Sequence, residues 1–148
     1  MGKRLAREIR MGIAEHCDAK KLGRLSFIGH SLGGVIIRAA LPHLKEFSEY
    51  MYSFMTFSSP HLGFLYNSSK LINTGMWVLK KWTKTKCLDQ LTLSDAESIE
   101  DTYIFKLSAA PGLNWFKNIA FVSSWQDTYA PFDSARIQVG KKALKDQA

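Results

Sequence analysis

A serine between two glycines stands where one apolar run ends and another begins. The segment Leu25–Ile28 predicts a buried strand, and Val35–Leu44 has apolar residues at helical spacing. Between them, Gly29, Ser31 and Gly33 form the pattern G-x-S-x-G. A serine on a sharp strand-to-helix turn projects its hydroxyl from the edge of the sheet, where it can attack a carbonyl carbon. The spacing therefore predicts that Ser31 is a nucleophile.

The residue types around Ser31 fit such a turn. Side chains at Gly29 and Gly33 are expected to collide with neighbouring backbone, and Gly34 allows the helix to pack close to the sheet. The start of the following helix directs free N–H groups and a partial positive charge at the serine. The backbone N–H of Leu32 is therefore expected to be one donor of an oxyanion hole.

A serine nucleophile also needs a base, and the base needs a carboxylate to orient it. Asp127 directly follows the third predicted strand, Ile119–Val122, and is the predicted acid, while Asp133 further into the loop is the second choice. The remaining acidic residues of the middle segment are expected to be solvated surface charges: Asp89, Asp95, Glu97, Glu100 and Asp101.

The histidines of the chain do not supply a base at the expected position. The chain has four, and none follows Asp127, although the base is expected after the acid in the order Ser, Asp, His. His16 falls late on the first predicted helix, and His43 falls at a helix end. His61 is the best substitute, because its turn lies at the same sheet edge as Ser31.

The elements that must position these residues alternate between helices and strands. Pro42 is expected to bend or stop the helix after the serine. The other predicted elements are a helix from about Leu5 to residue 19, a strand at Tyr52–Phe57, a helix around Ala96–Leu107 with a capping box at Ser94 and Glu97, and a terminal helix at Ser134–Lys145. This alternation predicts an α/β fold with a parallel sheet and helices on its faces.

Three segments resemble lipases and lipase-like serine esterases of the α/β-hydrolase superfamily. The elbow at 29–34 (GHSLGG), the strand and turn at 56–63 (TFSSPHLG) and the acid segment at 125–131 (WQDTYAP) carry the resemblance. Together with residues 134–137, they are most similar to the C-terminal lipase-like domain of a large animal protein family. The resemblance implies that His30 packs against its surroundings and that His61 positions its loop.

The resemblance also implies a fold and a function. The expected fold is a partial α/β-hydrolase domain over residues 1–148 that lacks the early strands, the last strand, the second oxyanion donor and the base histidine. The expected reaction is hydrolysis of carboxylic esters, lipid-like ones in particular, with neither a metal nor an organic cofactor. The alternative is an inactive truncated fragment or pseudohydrolase that binds a lipid or a protein.

Residues 64–116 form an insertion that the resemblance matches only loosely. Its segment Leu71–Trp82 is apolar, contains two tryptophans and is bracketed by lysines, which is typical of an interfacial helix. A lid over an acyl pocket and a helix packed on the core are both consistent with this pattern. A further set of residues could line that pocket, although most are expected in the core: Tyr103, Phe105, Leu107, Trp115 and Phe116.

Composition and charge set broad limits. The net charge of +7 favours anionic partners, including a membrane surface contacted peripherally, but the basic residues are spread out and no nucleic-acid-binding module is present. The two cysteines, Cys17 and Cys87, show no metal-binding spacing and favour a reduced compartment. No signal peptide or bilayer-spanning run is seen, so a cytoplasmic location is expected.

Overall fold

The computed structural model describes residues 1–17, 21–64 and 86–139. Its strands are β1 (Leu25–His30), β2 (Met51–Phe57) and β3 (Asn118–Val122). Its α-helices are α1 (Gly2–His16), α2 (Leu32–Ala40), α3 (Lys86–Leu91), α4 (Tyr103–Ser108) and α5 (Phe132–Arg136). Short 3-10 helices lie at Leu41–His43, Lys45–Tyr50, Ile99–Asp101 and Leu113–Trp115.

The three strands form one parallel sheet in the order β1-β2-β3, as the alternation of elements predicts. Phe54 on the central strand pairs with Phe27 on one side and Ile119 on the other. At the carboxyl edge, Phe57 pairs with His30 and with Val122, so the three strands end in line. The loops that follow them therefore leave the sheet at one edge, which is where open α/β sheets bind ligands.

Helices α1 and α2 cover one face of the sheet. The core between them buries Ala6 of α1, Ile37 of α2, Phe54 of β2 and Phe116 of the segment before β3. The ring of Phe116 packs against those of Phe27 and Phe54, with centroids 5.8 and 5.4 Å apart. This cluster holds the elbow helix against the sheet.

The opposite face of the sheet is open in the described part of the chain. Ile28 is 74% exposed, and Phe57 and Val122 on the same face are exposed as well. The expectation that the first strand is buried is therefore wrong for this face, because strand alternation puts Leu25 and Phe27 on the helix side only. Parallel sheets are ordinarily covered on both faces, so this surface is unusual for the class.

Two predicted helices have different bounds in the structure. Helix α2 begins at Leu32 and gives way to the 3-10 helix that contains Pro42, which confirms that the proline ends it. The capping box at Ser94 and Glu97 does not form. The N–H of Tyr103, the first residue of α4, instead donates to the carboxylate of Asp95 over 3.0 Å, so the helix starts later than the periodicity suggests.

The terminal helix is also shorter than predicted. Helix α5 ends at Arg136, and the next residue, Ile137, has a φ of 53° in the left-handed region. Residues 140–148 lie outside the described part of the chain, as do residues 18 and 19 of the first predicted helix and the whole of the Leu71–Trp82 segment. The described part of the insertion packs on α2 through a second buried cluster of Val35, Leu91, Ile104 and Leu107.

Candidate functional site at the carboxyl edge of the sheet

Ser31 occupies the turn between β1 and α2. Its φ of 52° and ψ of −128° are strained for a residue with a side chain, and its N–H donates to the carbonyl of Phe57 over 3.0 Å. The side chain is exposed and makes no capping hydrogen bond to the helix that it precedes. The geometry therefore fits a nucleophile elbow, in which the hydroxyl is presented to solvent at the sheet edge.

The glycines around Ser31 have different steric roles. A Cβ on Gly29 would lie 2.7 Å from backbone atoms of Gly34, and a Cβ on Gly34 would lie 2.4 Å from the Ser59 hydroxyl. Both positions therefore need glycine. The collision predicted at Gly33 is not seen: apart from its chain neighbours and the backbone of its own helix, no described atom lies within 4 Å of a Cβ built there.

Leu32 is the first residue of α2. The first N–H groups of a helix have no partner within the helix, and the macrodipole adds partial positive charge at this end. Ser31 leaves these donors uncapped by its side chain. The Leu32 N–H therefore lies directly after Ser31, at the helix end where negative charge is favoured.

Asp127 lies in the loop after β3, at the same edge of the sheet. Its carboxylate accepts hydrogen bonds from the N–H groups of Tyr129 and Ala130 over 2.8 and 3.0 Å. Partial burial raises the pKa of Asp127, but the Ser58 hydroxyl, these two N–H groups and the charge of His30 together lower it below its usual value. The side chain is therefore held in place as a carboxylate.

Two residues next to the strand ends act on the Asp127 carboxylate. Ser58 follows β2 with a φ of 49°, and its N–H donates to the carbonyl of Val122 over 2.9 Å. His30, the last residue of β1, is exposed and close enough for its charge to act on Asp127. The expectation that His30 is a packing residue is therefore wrong, because the strand places it on the open face of the sheet.

His61 lies in the interior rather than at the site. Its ring is 1% exposed, hydrogen-bonds the Thr56 hydroxyl over 2.9 Å and packs against Phe121 with ring centroids 5.0 Å apart. Burial, together with the positive charge of Arg38, lowers the pKa of His61 to about 3. The ring is enclosed by Thr56, Phe121 and Arg38, and these contacts fit the loop-positioning role that the resemblance implies.

The other histidines and the second candidate acid lie elsewhere. His16 is exposed beside Glu15 at the end of α1, and the carbonyl of His43 accepts a hydrogen bond from Arg10. Asp133 is in the first turn of α5, where a negative side chain is favoured by the helix dipole. The structure thus brings His30, Ser31, Ser58 and Asp127 to one edge of the sheet.

Sequence reasoning missed Arg38. This residue of α2 is 7% exposed, and its guanidinium donates to the carbonyls of His61 and Leu107 over 3.0 and 3.2 Å. Burial lowers the pKa of Arg38. It links the elbow helix to the turn after β2 and to α4. A charged residue inside the apolar run Val35–Ala40 is the signal that indicates such a contact.

Two further features concern the described ranges, residues 1–17, 21–64 and 86–139. No cluster of three or more His, Cys, Asp or Glu side chains in these ranges could hold a metal ion. Within the same ranges, none of the helices combines the length and the apolar character needed to cross a membrane. Of the residues considered for an acyl pocket, Leu107 and Phe116 are buried in the two clusters, whereas Tyr103 and Phe105 are exposed.

Comparisons with known proteins bear on the family and the fold. The family model described as "Putative serine esterase (DUF676)" matches residues 1–139. Among solved structures, the mature form of the Bacillus licheniformis lipase BlEst2 is similar, with a TM-score of 0.51 and 21% sequence identity. The match covers 80% of this chain and 45% of the lipase, so the chain spans less than half the length of that protein. The likeness shows that the fold is part of an α/β-hydrolase.

Proposed function

The chain belongs to this serine esterase family, and from that premise we propose that its site hydrolyses carboxylic esters with Ser31 as the nucleophile. The observation that carries the proposal is the elbow conformation of Ser31 at the carboxyl edge of the sheet, which a serine adopts only at a cost in strain. Asp127, held at the same edge by three donors, supports the same assignment.

In the proposed reaction, the Ser31 hydroxyl oxygen attacks the ester carbonyl carbon. The N–H of Leu32 stabilises the negative charge that develops on the carbonyl oxygen. The alcohol leaves with a proton, and water then hydrolyses the acyl-serine to release the acid. Asp127 orients the base that takes the serine proton.

The base is the component that the expected order of residues leaves unassigned. No histidine follows Asp127, and His61 is buried and neutral. The unassigned base favours a second candidate function, a pseudohydrolase that binds a lipid or a protein partner without turnover.

A lipid-like substrate is the proposed class. The exposed aromatic side chains of Trp125 and Tyr129, 76% and 62% exposed, flank Asp127 in the sequence and give this edge an apolar rim. The Trp125 ring stacks on Phe132 with centroids 3.6 Å apart, so it is held in an exposed position. Aromatic rims and a positive net charge are typical of proteins that contact an anionic lipid surface.

Active-site labelling with a fluorophosphonate tests the proposal. A competent serine forms a bond between its oxygen and phosphorus while fluoride leaves, so the adduct mass identifies the serine. We expect the folded chain to be labelled at Ser31 and the label to be absent from Ser31→Ala. The matched control is Ser26→Ala, because Ser26 is an exposed serine on β1 away from the elbow.

The outcome separates the two candidate functions. Labelling at Ser31 together with turnover of a nitrophenyl ester supports the esterase. A folded chain that shows neither labelling nor turnover excludes activity of these residues by themselves. Binding of a fatty acid by such an inactive chain supports the binding module.

A further inference from the structure

The outer side of β1 is a free strand edge in the described part of the chain. β1 is the first strand in the sheet order and pairs with β2 on its other side. Among the described residues, no backbone hydrogen bond joins β1 to a segment other than β2. An unpaired strand edge presents N–H and C=O groups to which the backbone of another strand can bond.

The backbone groups that face outward can be identified from one hydrogen bond. The N–H of Ser31 donates to the carbonyl of Phe57, so the backbone at this position faces β2. Successive residues of a strand direct their N–H and C=O groups to opposite sides. Ser26, Ile28 and His30 therefore direct theirs away from β2, and their side chains share the open face of the sheet.

This edge lacks the features that usually prevent strand pairing. Natural edge strands carry lysines or other charges, prolines or bulges, whereas β1 contains no lysine, arginine, acidic residue or proline. The irregularity of its ladder lies before Phe27, so the strand is regular from there to His30. The Arg24 guanidinium lies 4.1 Å from the ring centroid of Tyr52 on β2, away from the free edge. Two copies can therefore meet along β1 without opposing charges of the same sign.

The other edge of the sheet is less suited to pairing. The carbonyl of Val122 accepts the N–H of Ser58 and so faces β2, which leaves Ile119 and Phe121 as the outward residues of β3. Helix α5 also packs against β3. β1 thus offers the longer run of free backbone groups.

We propose that a second copy of this chain pairs with β1 in antiparallel orientation about a two-fold axis. A two-fold interface brings the same strand from both copies together, and an antiparallel ladder requires outward residues to lie opposite each other. The longest ladder results when Ile28 lies opposite Ile28 of the second copy and Ser26 lies opposite its His30. At the axis, two exposed β-branched side chains then form a cross-strand pair.

The size of the ladder indicates how strong the dimer is. Five residues of each copy, 26–30, take part, whereas standard protein interfaces use about 20 to 30 residues on each side. We therefore expect a reversible dimer that forms above about 10 µM, because small interfaces give micromolar affinity at best. In this register, Leu25 of the second copy lies opposite Ser31, so each copy borders the elbow of the other. The inference does not rest on the proposed function.

Disulfide trapping tests the register. In a hydrogen-bonded antiparallel pair the Cα atoms lie about 5.5 Å apart, which is within the range of disulfides. In a background of Cys17→Ser and Cys87→Ser, Ile28→Cys is therefore expected to form an intermolecular disulfide under mild oxidation. The matched control is Ser26→Cys on the same strand, because two copies of residue 26 would be roughly 13 Å apart and should not cross-link.

Sedimentation equilibrium with two blocking variants tests the surface. Ile28→Lys places two like charges opposite each other, and Ile28→Pro removes the N–H that bonds to the second copy. Both are expected to be folded, by circular dichroism, and monomeric at about 100 µM, where the native chain should be mainly dimeric. The matched control is Val122→Lys, on the same open face but on β3, which is expected to keep the dimer.

The outcomes separate edge pairing from other forms of association. A native chain that remains monomeric at this concentration would overturn the proposal. A dimer that survives in both Ile28 variants, or is lost in Val122→Lys, would place the contact on another surface and overturn it as well. Loss of the dimer in either folded Ile28 variant, together with a disulfide at residue 28 and none at residue 26, supports the proposal whether or not the fluorophosphonate labels Ser31.

Discussion

The backbone N–H of Ser31 donates to the carbonyl of Phe57 over 3.0 Å and ties the elbow to the end of the neighbouring strand. The arrangement repeats one strand further, where the N–H of Ser58 donates to the carbonyl of Val122 over 2.9 Å. Both serines have a positive φ, 52° and 49°. The parallel ladder thus continues one residue beyond β1 and β2, and the residue that continues it takes a backbone conformation in which glycine is the least strained residue.

Because the backbone at Ser31 is strained, we expect glycine to be a more stable replacement than alanine at this position, the reverse of the usual order. We expect Ser31→Gly to be more stable to urea than Ser31→Ala by about 1 kcal/mol. The reason is that a strain of about 1–3 kcal/mol exceeds the roughly 0.5–1 kcal/mol that glycine adds in unfolded-chain freedom. The control is Ser26 in β1, where alanine should be the more stable replacement. An alanine variant at Ser31 that equals or exceeds the glycine variant would contradict the strained elbow.

Gly33 and Gly34 are adjacent, but we expect a substitution by alanine to change the stability of the fold in opposite directions at the two positions. Gly34→Ala is expected to destabilise the fold by about 1–3 kcal/mol, because its Cβ would lie 2.4 and 2.8 Å from the Oγ and Cβ of Ser59. Gly33→Ala is expected to stabilise it by about 0.5–1 kcal/mol, because alanine is the better helix former and no described atom is near. Urea unfolding measures both. A similar loss of stability at both positions would show that Gly33 also has a close neighbour.

The elbow and the sheet were predictable because local patterns determine them. An apolar strand, the spacing of Gly29 and Ser31, and an apolar helix specify the turn without any distant contact. The parallel order of the strands follows from their alternation with helices. The steric need at Gly34 was predicted in the same way, and the structure adds the atoms that cause it.

The features that the sequence did not predict depend on contacts between segments that are distant along the chain. The hydrogen bond from the Tyr103 N–H to Asp95, eight residues earlier, sets the start of α4. This contact outweighs the local capping pattern at Ser94. The contact of Ser58 with Asp127 joins loops after two different strands, so no spacing reveals it. The interior position of His61 depends on Arg38 and Thr56 in the same way.

Ser58 is expected to control the ionisation of Asp127. Removing its hydroxyl in Ser58→Ala deletes a donor that stabilises the carboxylate, so the pKa of Asp127 should rise toward its ordinary value. Carbon-detected NMR titration of the Asp127 carboxyl measures this change. The control is Ser124→Ala, because Ser124 lies in the same loop as Asp127 but its hydroxyl hydrogen-bonds Gln126 instead of the Asp127 carboxylate. An equal change in the two variants would indicate a general disturbance of the loop.

The proposed role of Asp127 gives a separate expectation for activity. In an esterase, Asp127→Asn should lower kcat by about three to four orders of magnitude, because the amide no longer orients and stabilises a protonated histidine. Asp133→Asn is the matched control on the second candidate acid and should leave kcat nearly unchanged. A larger loss at Asp133 would exchange the roles of the two residues. Nitrophenyl ester turnover at saturating substrate measures kcat for both.

Burial of His61 predicts that the fold weakens in mild acid. Its pKa is about 3 in the folded chain, against an ordinary value of 6.5, because the ring is desolvated and Arg38 repels a second positive charge. Between these two values the unfolded chain binds a proton that the folded chain does not. The free energy of unfolding should therefore fall as the pH drops below 6.5, by about 1.4 kcal/mol per pH unit, or about 2 kcal/mol from pH 7 to pH 5. Urea unfolding over this range measures the slope, which His61→Gln should flatten and the exposed control His16→Gln should preserve. A slope that persists in His61→Gln would assign the acid sensitivity to other groups.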